Sequence, residues 1–109
     1  MFQRAVVSSG GGEEKYYHIS TTYGNKTITC GFRPKVIIIN RSDNTANKAY
    51  GCVYAEKTVL GNNMQHTLSG GTWQAVGSGT GYNVIGAITD TGFIMSTQYT
   101  TACDVYAWG

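Results

Sequence analysis

The sequence predicts an all-β domain, a single antiparallel β-sandwich of about seven to eight short strands. Three observations carry this expectation. Runs rich in β-branched and aromatic residues alternate with a period of two. Turn-forming residues separate these runs at intervals of about 8–12 residues. No window combines a helical period with capping residues at its ends. Composition agrees: the 109 residues include 15 Gly, eight Tyr and a single Pro, and only 13% are charged. That is about half the usual share of charge in a soluble domain. Thr, Ser, Asn and Gln supply the polar surface instead.

Residues Met1–Glu14 are expected to form a flexible lead-in, because Ser8-Ser9-Gly10-Gly11-Gly12 has linker composition. The sandwich is assigned to residues 15–109. Tyr16–Thr21 is aromatic and β-branched. In Lys26–Cys30, Thr27 and Thr29 alternate with Ile28 and Cys30. Pro34–Asn40 contains Val36-Ile37-Ile38-Ile39, a β-branched run expected to be a central strand covered on both faces. Ala49–Lys57 alternates Tyr50, Cys52 and Tyr54 against Gly51, Val53 and Ala55. The Gly-, Ser- and Asn-rich stretch Thr58–Gly81 is weakly patterned, with a short strand near Thr72–Val76. Tyr82–Thr89 and Phe93–Thr97 flank an Asp90-Thr91-Gly92 turn. The last strand, Cys103–Trp108, turns Asp104, Tyr106 and Trp108 to one face and Cys103, Val105 and Ala107 to the other.

A net charge of +2 is too small a bias for a nucleic-acid partner, which calls for a clustered basic face. No apolar stretch is long enough to span a membrane, so membrane insertion is not expected. Met1-Phe2-Gln3-Arg4 leads into no apolar run of the secretory kind. Cys30, Cys52 and Cys103 lie far apart, each within an apolar run, and read as small buried hydrophobes. An odd cysteine count argues against a disulfide framework and for folding in a reducing compartment.

Four patterns invite a chemical reading. Asp90-Thr91-Gly92 matches the aspartic-protease tripeptide, in which two carboxylates share one proton. However, Thr89 and Phe93 stand where that family places an apolar and a small residue, and Asp, Thr and Gly also suit a hairpin turn. A small hydrolase using Asp90 is therefore the remote alternative. Gly77-Ser78-Gly79-Thr80-Gly81 resembles a phosphate loop but is followed by a strand, whereas such loops need a helix. His18 and His66 are the only histidines and show no zinc-ligand spacing. No serine or cysteine sits in a nucleophile elbow. The reading is a non-enzymatic protein with no catalytic residues, no cofactor and no metal. Asn25-Lys26-Thr27 and Asn40-Arg41-Ser42 fit the glycosylation pattern but carry meaning only in a secreted chain. Arg33, Lys35 and Arg41 share one strand parity and are expected to place solvated charge at the two ends of the Ile37–Ile39 strand. Ile28-Thr29-Cys30-Gly31-Phe32 and Ile88-Thr89-Asp90-Thr91-Gly92-Phe93 echo one another, which shared turn chemistry or chance explains.

The stretch Ile28-Thr29-Cys30-Gly31-Phe32-Arg33-Pro34-Lys35-Val36-Ile37-Ile38-Ile39 resembles an Ile-Thr-x-Gly-Phe-x-Pro-Lys-x-Val-x-Ile segment found in β-rich domains of phage and prophage tail-fibre and minor structural proteins. The Gly-rich lead-in, the late Ile-Thr-Asp-Thr-Gly-Phe-Ile turn at residues 88–94 and the aromatic last strand ending Tyr106-Ala107-Trp108 are similar too. The resemblance implies a virion component of the tail or baseplate. It would be assembled in the host cytoplasm, self-associating as a homotrimer and contacting other tail proteins. The alternative is a carbohydrate-binding module for a bacterial surface glycan, bound by the Thr58–Gly81 connection and the Gln98–Ala102 turn. Sugar recognition needs flat aromatic faces and neutral hydrogen-bonding groups. Trp73, Gln74, Asn83, Gln98 and Tyr99 supply those types on segments where recognition usually sits.

Overall fold

A computed structural model describes residues 15–45, 48–56, 64–69, 71–75, 84–96 and 100–109. These residues form nine strands: β1 Tyr16–Thr22, β2 Lys26–Thr29, β3 Val36–Arg41, β4 Gly51–Ala55, β5 Met64–Ser69, β6 Thr72–Ala75, β7 Ile85–Thr89, β8 Gly92–Met95 and β9 Ala102–Trp108. The strands build two antiparallel sheets, a large one of six in the order β1-β9-β3-β4-β5-β6 and a small one of three in the order β2-β8-β7. The expected all-β sandwich is the observed architecture, with one strand more than expected and two sheets of unequal width.

The additional strand is β5. Its sequence, Met64-Gln65-His66-Thr67-Leu68-Ser69, has no β-branched or aromatic run, and its inward residues are polar. Gln65 explains how such a strand is held. Its side-chain carbonyl accepts the Ile85 N–H at 2.9 Å, and its amide group donates to the Ile85 carbonyl at 3.4 Å. One side chain thereby mimics a strand pair and ties β5 of the large sheet to β7 of the small one.

The core lies between the sheets. Ile37 and Ile39 of β3, Cys52 of β4, and Cys103, Val105 and Ala107 of β9 face Ile28 of β2, Ile85 of β7, and Phe93 and Met95 of β8. Tyr23, Phe32 and Val84, outside the strands, complete it. Cys52 and Cys103 are buried and all three cysteines are free thiols. Burial pushes the Cys52 thiol up to about 12, since the interior disfavours a thiolate. Parity alone would set Ile85 and Ile88 on opposite faces. The register shifts between Ile85 and Ala87, and this bulge brings Ile88 back against the core that Ile85 already occupies.

The echo between the two Ile-Thr segments has a geometric cause. β2 and β7 flank β8 in the same register. Ile28 and Ile88 both oppose Phe93, and Thr29 and Thr89 both oppose Gly92. Equivalent places beside one strand select equivalent residues, so a shared partner is the explanation rather than chance.

The charges around β3 divide. Arg33 is half exposed, as expected of a solvated end, but Arg41 is only 7% exposed. Its guanidinium Nε donates to Asp43 Oδ1 at 3.0 Å, and Nη2 binds the other oxygen in a forked pair. Its plane lies 4.1 Å from the Tyr50 ring centroid and 5.6 Å from that of Tyr23. The inward parity of Arg41 was legible in the sequence, but the enclosure by two tyrosines was not. The Arg41 guanidinium also holds the Asp43 carboxyl below its usual range.

Candidate functional site

β9 is central in the large sheet, so the residues it turns away from the core have neighbours on both sides. Antiparallel register orders these outward residues into rows. The first row runs Tyr16, Trp108, Val36, Ala55. The second runs His18, Tyr106, Ile38, Val53, His66. The third runs Ser20, Asp104, Asn40, Gly51, Leu68, Trp73. The first row is apolar and aromatic throughout, and the second is so at Tyr106, Ile38 and Val53, with a histidine on either side. The third is polar at the β1, β9 and β3 end only.

The rings touch one another. Tyr16 and Trp108 lie 5.5 Å apart at a 47° tilt. His18 stacks on Tyr106 at 4.6 Å and 12°, and Tyr106 and Trp108 run nearly parallel at 6.3 Å. Tyr106 and Trp108 form the walls, and Val36 and Ile38 the floor, of an open groove of about 460 Å³. The expectation that β3 is covered on both faces is therefore met on one only. Ile37 and Ile39 are 0% and 2% exposed, whereas Val36 and Ile38 are only half-buried and line the groove.

Below the groove, Asp104 Oδ1 accepts the Ser20 hydroxyl at 2.6 Å and lies 3.0 Å from His18 Nε2. Ser, His and Asp are the residue types of a nucleophilic triad, but the order differs. There the imidazole stands between hydroxyl and carboxylate, so that it can take the hydroxyl proton. Here the carboxylate stands in the middle and the hydroxyl donates to it, which orients Asp104 and activates no nucleophile. The Ser20 hydrogen bond, and next the one from His18, hold the Asp104 carboxyl below its usual range. A carboxyl with a lowered folded-state pKa contributes stability above about pH 4, and that stability is lost as pH falls through the folded value. Asp104→Asn is therefore expected to flatten part of the acid limb of melting temperature against pH. Thermal melts between about pH 2 and 6 would check this, and an unchanged acid limb would contradict the hydrogen-bond geometry.

The other sequence candidates separate. Asp90 and Thr91 form the two-residue turn between β7 and β8, closed at Thr89 and Gly92. The Asp90 side chain is 94% exposed, with Arg33 at 3.3 Å. This is the setting of a solvated turn residue, whereas a shared-proton dyad sets two carboxylates together. His18 and His66 share the second row but stand on β1 and β5, four strand steps apart by the sheet order. At about 4.8 Å per step that separation is far beyond a shared metal ion. Among the described residues no group of three or more His, Cys, Asp or Glu could hold a metal.

Of the proposed sugar-binding residues, Trp73 lies on edge strand β6 and is 51% exposed. The backbone of Gln74 pairs with Thr67, and its side chain is outside the described set. Asn83, Gln98 and Tyr99 also lie outside the described residues, as does the Gly77–Gly81 loop. The residues that do come together, Tyr16, His18, Val36, Ile38, Tyr106 and Trp108, were not singled out by the sequence. The signal for them was present in the outward Asp104-Tyr106-Trp108 alternation beside a strand apolar on both faces. Compared with protein-family models, with curated proteins and with solved structures, the chain matches none.

Proposed function

We propose that this chain is a non-enzymatic structural domain of a phage or prophage virion, of the tail-fibre or baseplate kind, which assembles with copies of itself and contributes to attachment at the host surface. The observation that carries the reading is the apolar, aromatic outer face of the large sheet. A face of that character on a small domain serves contact with another macromolecule. The resemblance across residues 28–39 supports the same reading. In that segment Ile28, Phe32, Ile37 and Ile39 are core residues, so the shared phrase is architectural and not catalytic.

The test is made on particles. In phage or prophage particles purified from the strain that carries the gene, peptide mass spectrometry should find this chain, and antibody labelling should place it on the tail. Particles that lack the chain altogether would overturn the virion assignment. A second reading, a module for a bacterial surface glycan, is favoured by the exposed indole of Trp73. It predicts that Trp73→Ala abolishes binding of the purified domain to host cell walls, where a purely structural domain shows no such binding.

A further inference from the structure

We infer that the outer face of the large sheet is the interface between copies of this chain, with the groove over Val36 and Ile38 at its centre. This rests on the self-assembling part of the reading above and names the surface that performs it.

The first argument is the composition of β3. Four consecutive β-branched residues belong to a strand buried on both sides. The chain's own small sheet buries Ile37 and Ile39. Val36 and Ile38 instead line an open groove beside the rings of Tyr106 and Trp108. The strand is built for a fuller cover on this face than the described part of the chain provides, since Val36 and Ile38 stay half-exposed to the groove.

The second argument is size. Six strands at a spacing of about 4.8 Å span roughly 24 Å, and the seven residues of β9 at about 3.3 Å each span roughly 23 Å. The face is thus on the order of 550 Å² in projection, and its accessible area is larger because side chains stand out from it. An ordinary monomer's largest apolar patch is about 300–600 Å², and a standard interface buries about 800 Å² per partner. The whole face, polar end included, thus has room for a small protein–protein contact, with the groove as its apolar centre.

The third argument is charge. The rows carry no lysine or arginine. Lys15, Lys26, Arg33, Lys35, Arg41 and Lys48, the described cations, all lie elsewhere. An anionic occupant such as nucleic acid or an acidic lipid surface would find nothing to neutralise it. The face's one carboxylate, Asp104, is already engaged by Ser20 and His18. Two copies can therefore meet without opposed like charges, which suits self-apposition. The shape also suits it: the ring walls on β9 stand beside the groove floor on β3, so one patch offers both knob and socket, as a symmetric contact requires. Two such sheets pack about 10 Å apart, with the Ser20, Asp104 and Asn40 end as a polar rim. Whatever the number of copies, this face is turned inward.

The experiment compares the wild-type chain with Ile38→Lys by light scattering over a wide concentration range, alongside circular dichroism. The wild type should have a multiple of the chain mass, and Ile38→Lys should be a monomer with an unchanged β spectrum. Because Ile38→Lys could fail to fold, a second reading uses Trp73→Phe, which leaves Trp108 as the sole tryptophan. Trp108 should resist acrylamide quenching in the assembly and become quenchable on dilution, in step with the fall in mass. A wild-type chain that is monomeric at every concentration overturns the inference. So does an assembled wild type in which Trp108 is freely quenched and Ile38→Lys keeps the full mass. That second outcome leaves self-assembly standing through another surface, and the particle experiment decides the virion reading independently.

Discussion

Phe93→Ala is expected to lower the unfolding free energy by about 3–5 kcal/mol, among the largest losses a single side chain of this domain can cause. Phe93 is 0% exposed and sits on β8, the middle strand of the small sheet, with Ile28 on one side and Ile88 on the other. It projects into the layer where both sheets meet, so truncation removes apolar contacts and leaves a cavity that rigid strands cannot close. A domain of this size has about 5–15 kcal/mol in all. At about 4–8 °C per kcal/mol, the midpoint of thermal unfolding should fall by roughly 12–40 °C. Ile94, the next residue, is 40% exposed and supplies the control. Ile94→Ala should cost about 1 kcal/mol, because two-fifths of its surface already faces water and its truncation opens no closed cavity. Urea unfolding of the two variants gives both numbers. Equal losses at Phe93 and Ile94 would mean that β8 does not present alternate faces to core and solvent as described.

The fold was legible where one face of a strand is apolar and the other is not. β1, β2, β4, β8 and β9 carry that alternation and β3 is a continuous β-branched run, and the sequence places each of them within a few residues of its observed bounds. β5 was missed because its two inward residues, Gln65 and Thr67, are polar. Gln65 is useful inside only because the Ile85 backbone stands ready to pair with it, a long-range fact that no local pattern records. β7 was located, but the bulge between Ile85 and Ala87 that resets its facing is not marked by the residue pattern, and Tyr82 and Asn83, where the strand was expected to start, lie outside the described residues. The enclosure of Arg41 was hidden for a related reason. Its cover comes from Tyr23 and Tyr50, on segments far apart in sequence.

The site is harder to read from the sequence. Recognition residues on loops are the common case, which points to Trp73, Gln74, Asn83, Gln98 and Tyr99. The groove lies instead on the most regular part of the molecule. The groove and the rings beside it come from three strands that are distant in sequence and adjacent only through the β1-β9-β3 order. Had that order been known, the outward sets Tyr16 and His18, Tyr106 and Trp108, and Val36 and Ile38 would have fallen into one patch by parity alone. Strand order depends on the pairing of the last strand with the first, which sequence periodicity does not contain.

Gly92→Ala should be as costly as the core truncation, for an unrelated reason. Gly92 is buried on β8 beside β2, and a Cβ there would run into the backbone carbonyl of Ile28. A backbone atom cannot rotate aside, so β2 must separate from β8. The damage spreads from there. The adjacent Thr91 carbonyl accepts the N–H groups of Cys30 at 2.9 Å and of Gly31 at 3.0 Å, and these bonds hold the start of the connection to β3. A loss of about 3 kcal/mol or more is expected, at the upper end of what overpacking causes. Gly31 separates steric collision from backbone strain. It has φ of 88° and open space around a built Cβ, so Gly31→Ala should cost only the left-handed penalty of about 1–2 kcal/mol. Thr91→Ala, on the exposed turn, should cost less than about 0.5 kcal/mol. Denaturant midpoints should therefore rank Gly92→Ala lowest, then Gly31→Ala, then Thr91→Ala. If Gly92→Ala proved no worse than Thr91→Ala, β2 would not lie against β8 at this point, and the shared register that places Ile28 and Ile88 on either side of Phe93 would be wrong.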